Sequence, residues 1–146
     1  MAELPQRPSV LVLGVDPARL DAAEWPVTQE ETATVIAAIA RGRAEIETAG
    51  YDVEMCLVAL DPQLVSVISH ALATRAWDCV LVGGGLRKPP ELLETFERLV
   101  NLVHRMAPQA VIAFNERPDD LLSAIDRAMS STTNEPACPR RSRPKS

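Results

Sequence analysis

Four short, mainly apolar runs, separated by segments of helical periodicity, constrain this chain more than any other feature. The first, SVLVLGV over Ser9–Val15, is rich in β-branched residues and shows no polar alternation, the pattern of a strand covered on both faces. A second run spans residues 52–60, a third is CVLV over Cys79–Val82, and a fourth is AVIAF over residues 110–114. A strand buried on both faces needs helices above and below it, so these runs predict a parallel sheet.

The intervening segments supply the helices. Thr28 with Glu31 three residues later reads as a capping box, and Val35, Ile36, Ile39, Ile46 and Ala49 recur as one apolar face before Gly50 stops the helix. Asp61-Pro62 reads as the N-cap and first-turn proline of a second helix that buries Leu64, Val65, Ile68 and Leu72. Pro89-Pro90 opens a third helix running to about Met106, with Leu92, Leu93, Phe96, Leu99, Val100 and Val103 inside and Pro108 beyond its end. Pro118-Asp119-Asp120 leads into a fourth carrying Leu121, Leu122, Ile125 and Met129. The order βαβαβαβα predicts a three-layer α/β/α domain whose four-stranded parallel sheet has the order 2-1-3-4.

A chain of 146 residues with 47% hydrophobic content fits one domain. The boundaries expected are an N-terminal arm at 1–8, a single α/β domain at 9–130 and a disordered, basic, proline-rich tail at 131–146. Residues 135–146 hold Arg140, Arg141, Arg143 and Lys145 against Glu135, a net +3, which leaves −8 of the chain's −5 to residues 1–134. That acidic body argues against nucleic acid and anionic lipid as partners. No apolar run approaches the roughly 20 residues of a membrane span. Cys56, Cys79 and Cys138 form no metal spacing and no even disulfide set, so a reducing, cytoplasmic setting is expected. The apolar fourth strand, VIAF, lies at a sheet edge and suggests pairing with a second copy as a homodimer.

In open parallel sheets, ligands bind beyond the carboxyl ends of the strands where the strand order reverses, here between strands one and three. Asp16 ends the first strand, Gly83, Gly84, Gly85, Arg87 and Lys88 follow the third, and Asn115 follows the fourth. Three successive glycines permit positive φ and can turn N–H groups toward a ligand, and Arg87 and Lys88 add positive charge, so a small anion is the ligand expected. The run matches neither a P-loop nor a dinucleotide fingerprint. No cofactor and no metal are expected. His104 lies about fourteen residues into its helix, roughly 20 Å from that helix's start, and His70 points away from the apolar face, so neither joins the crevice. Cys56 and Cys79 lie within strands rather than at their ends, which leaves no candidate nucleophile.

The words DCVLVGGGLRKPPE over residues 78–91, FERLVNLVH over 96–104 and IAFNERPDD over 112–120 resemble the receiver-like and flavodoxin-like superfamily, and more closely a group of small bacterial proteins of similar length with no assigned chemistry. The resemblance spans most of residues 9–129 and implies a fold and a site region. A lone aspartate after strand one, and glycine where a receiver carries its phosphoacceptor after strand three, argue against phosphotransfer. The function expected is a noncatalytic regulatory or binding domain that recognises a small anionic ligand or a protein partner at the strand-end crevice. The alternative is a small enzyme with Asp16 as acid or base and the loop from Ala18 to Val27, including Trp25, as its lid.

Overall fold

The computed structural model describes residues 7–21 and 23–133. Arg140, Arg141, Arg143, Lys145 and Cys138, together with most of the expected tail, lie outside the described residues. Strands β1 (Ser9–Val15), β2 (Asp52–Val58), β3 (Cys79–Val82) and β4 (Val111–Phe114) form one parallel sheet in the order β2-β1-β3-β4. This is the expected flavodoxin-like arrangement, with the reversal of strand order between β1 and β3.

The helices are α1 (Gln29–Thr48), α2 (Leu64–Ala73), α3 (Gly84–Arg87), α4 (Leu93–Met106) and α5 (Leu121–Thr133). Alternate β1 residues serve opposite faces of the sheet. Leu11 and Leu13 pack with α2, α3 and α4 through Ile68, Leu72, Leu86, Leu99 and Val103, while Val10 and Val12 pack with α1 and α5 through Ile46, Leu121, Ala124 and Ile125. The sheet is therefore covered by helices on both faces, as the apolar strands β1 and β3 at its centre require. Among the described residues no helix is long and apolar enough to cross a membrane.

Local sequence signals act largely as read. Thr28 Oγ1 accepts from the Glu31 N–H at 2.9 Å and the Glu31 carboxylate accepts from the Thr28 N–H at 2.9 Å, closing the capping box that starts α1. Gly50 has a φ of +103°, the left-handed turn that ends the helix. Two starts differ. Asp61 caps no helix: its Oδ1 accepts from Gln63 N at 2.8 Å in a local turn, and α2 begins at Leu64. The segment after β3 is also more broken than expected, with short α3, a 3-10 turn at Pro90–Leu92 and only then α4.

The apolar face of α1 departs from its sequence reading in a way that shapes the molecule. Its buried residues are Ala38, Gly42 and Ile46, whereas Ile36 is 44% exposed and Ala49 is exposed. A 20-residue helix is about 30 Å long, but seven-residue β1 spans about 23 Å and four-residue β3 and β4 only about 13 Å. Because α1 runs from the carboxyl ends of the strands to their amino ends, its first turns overhang strands too short to meet them.

Glycine at the end of β3 answers to close packing rather than to positive φ. Gly83 has a φ of −70°, and Gly50 is the only glycine with positive φ among the described residues. A Cβ on Gly83 would stand 3.0 Å from the Leu13 carbonyl oxygen, which already accepts the Gly83 N–H at 2.8 Å. Backbone cannot yield there, so Gly83→Ala is expected to lower stability by about 1–3 kcal/mol in urea unfolding. Gly84→Ala, whose Cβ would meet the flexible Lys88 side chain at 3.4 Å and the Glu116 carbonyl oxygen at an ordinary 3.9 Å, is expected to stay within about 0.5 kcal/mol of the parent.

Candidate functional site

A cavity of about 420 Å³ opens at the carboxyl ends of the strands, under the overhanging start of α1. Its floor is the ends of β1 and β3, including Val12, Gly14, Val15, Gly83 and Gly84. Its roof is Thr32, Val35 and Ile39 of α1, and its sides come from Leu20, Trp25 and Val27 of the loop after β1, Met55 and Leu57 of β2, and residues 115–118 after β4. The loop from 18 to 27 and α1 were not among the expected site residues, except as a lid in the catalytic reading. The signal that could have found them was the helix's length relative to its strands.

The structure brings Gly83, Gly84, Gly85, Lys88 and Asn115 to this cavity and leaves Asp16 and Arg87 out of its lining. Asn115 is buried, and both ends of its amide are engaged: Oδ1 accepts from Gly84 N at 3.1 Å, and Nδ2 donates to the Arg117 carbonyl at 2.7 Å. It pins the loop after β4 to the start of α3. Lys88 Nζ donates to the Glu116 carbonyl and ties the same two segments together at the rim.

The expected anion cradle is not assembled. The Arg87 guanidinium sits 5.8 Å over the Phe114 ring and donates through Nη2 to the Asn115 carbonyl, while its Nε is buried without a partner among the described residues. Phe114 in turn meets Phe96 of α4 edge to face at 5.9 Å. These contacts hold Arg87 toward the α4 side of the sheet, because the turn of α3 carries its side chain over β4. Asp16 is likewise committed to structure. Its carboxylate accepts from Ala18 N at 3.0 Å and from Arg19 Nε at 3.1 Å, capping the 3-10 turn at Pro17–Arg19. It stands outside the cavity lining.

The histidines, the described cysteines and Tyr51 are not part of the cavity lining. His70 and His104 are both exposed on their helices. Burial, with the Asp78 carboxylate adding to it, pushes the Cys79 thiol up to about 12, and burial also raises Cys56. Both shifts favour the thiol over the nucleophilic thiolate. Tyr51 is raised to about 12, first by burial and then by the hydrogen bond its hydroxyl donates to Asp126 at 2.7 Å.

A scan against protein-family models and a search of curated proteins return no match for this chain.

Two outcomes follow from these placements. Arg87→Ala removes a charged hydrogen bond and a ring contact, so urea unfolding is expected to show a loss of about 1–3 kcal/mol; an unchanged midpoint would contradict the structural role. Cys79 and Tyr51 hold their protons more tightly folded than unfolded. Their contribution is therefore fully present below pH 9 and is lost as pH rises toward about 12. The urea midpoint should fall across that range, and Cys79→Ala should flatten the part of the fall that begins near pH 9.

Proposed function

We propose that this chain is a noncatalytic binding or regulatory domain that takes a small molecule into the strand-end cavity. One observation carries the reading: an open, largely apolar cavity of about 420 Å³ at the point where strand order reverses, a volume within the range of small-molecule sites. Val27, Val35, Ile39 and Leu20 leave apolar surface there that neither the sheet nor another helix covers. A ligand that removes that surface from water would gain roughly 25 cal/mol per Å² buried.

The catalytic alternative has no comparable support, because Asp16 and Arg87, the residues it relied on, serve the turn and β4. The setting proposed is the cytoplasm, where Cys56 and Cys79 stay free. Likeness to a group of small bacterial proteins, and a homodimer formed through the β4 edge, belong to the same proposal.

A thermal-shift screen of neutral and charged small molecules tests it. A ligand at about 100 times its Kd should raise stability by about 2.7 kcal/mol. Leu20→Trp, which fills the cavity from a half-exposed loop position, should abolish the shift without lowering the starting midpoint. Shifts that survive Leu20→Trp would exclude this cavity as the site. Native mass spectrometry of the parent chain reads both a retained ligand and the stoichiometry; capture of a protein partner with an empty cavity would replace the small-molecule reading.

A further inference from the structure

Resting on the reading that the cavity binds a small molecule, we propose that its ligand is uncharged and mainly apolar, carrying at most a single hydroxyl or carbonyl as its polar handle. The sequence alone pointed to an anion. The arrangement of charges around the cavity points the other way.

Four charged side chains reach the lining, Glu31, Lys88, Glu116 and Arg117, two of each sign. Three of them already have structural partners. Glu31 accepts the Thr28 N–H of the capping box, Lys88 donates to the Glu116 carbonyl, and Arg117 Nε pairs with Asp119 at 3.1 Å. Asn115, the one buried polar side chain of the wall, has both its amide groups engaged. An anion entering this cavity would shed its water and meet only cations that already have partners, and a cation would meet one unengaged carboxylate, Glu116, which is exposed to water, so neither regains its desolvation cost among the apolar walls. The net −8 of residues 1–134 further opposes the approach of an anion.

A neutral ligand meets none of these penalties. Val12, Val35, Ile39, Met55, Leu20 and Trp25 offer it apolar contact from floor, roof and sides. Thr32 lines the roof, and its hydroxyl has no partner among the described residues, so it is available to donate to or accept from one neutral polar group. Hydroxyl to hydroxyl or carbonyl is a match that needs no charge.

The test uses two probes with the same apolar body, 1-octanol and octanoate, titrated at neutral pH where the acid is ionised. Trp25 emission reports occupancy from the cavity wall, and calorimetry gives the affinities. Octanol is expected to bind at least about tenfold more tightly than octanoate, a difference of about 1.4 kcal/mol. Its binding should be lost in both Leu20→Trp and Val35→Trp, two half-exposed positions on different elements, so a folding defect in one leaves the other to decide. Circular dichroism of each variant confirms its fold. Octanoate binding as tightly as octanol or more so, and sensitive to both variants, overturns the neutral-ligand inference and leaves the cavity reading standing. Binding of either probe that is unaffected by the filled variants, or no binding of either, overturns both.

Discussion

The mismatch in length between one long helix and four short strands organises this molecule. A parallel sheet with both faces apolar must be covered along its whole length, and α2, α4 and α5 do this with helices of ten to fourteen residues. The twenty residues of α1 exceed what β1 can meet and far exceed β3 and β4. From Ala38 onward it is anchored through Ala38, Gly42 and Ile46, so the excess accumulates at the other end, over the carboxyl ends of the strands. The cavity is the space enclosed by that overhang and by the loop that leads into it.

Around this space, polar groups serve chiefly to fix backbone. Asn115 and Lys88 both join the segment after β4 to α3, so the far wall of the cavity is held by hydrogen bonds that leave little for a ligand to use. Asp16 caps its own turn and Arg87 lies on Phe114. Local hydrogen bonds of this kind satisfy strand-end backbone that a parallel sheet leaves unpaired. What remains facing the cavity is apolar surface from α1, β1, β2 and the loop after β1. The ligand proposed for the cavity would be held by shape and apolar contact.

Much of the framework was legible in the sequence because it rests on local rules. Mainly apolar runs named the strands, the Thr28 and Glu31 pair named the start of α1, and Gly50 named its end, since each depends on residues within a few positions of one another. Gly83, Gly84, Gly85, Lys88 and Asn115 were also placed correctly at the strand ends, because topology alone fixes which end of a parallel sheet carries the crevice.

What those residues do there was decided by tertiary structure. The glycines looked like a loop with positive φ, yet Gly83 is glycine because the Leu13 carbonyl passes too close for a side chain. Arg87 looked like an anion ligand, yet the turn of α3 delivers it to an aromatic ring across β4. Periodicity gave α1 a continuous apolar face, and only the packed lengths of its neighbours reveal that Val35 and Ile39 line a space instead of a core. The sequence by itself determined the elements, their order and the end of the sheet where the crevice opens, because these follow from local propensity and from the burial of whole strands. The character of the cavity wall was decided only by tertiary structure, because it depends on which charged groups are consumed by contacts between segments far apart in the chain.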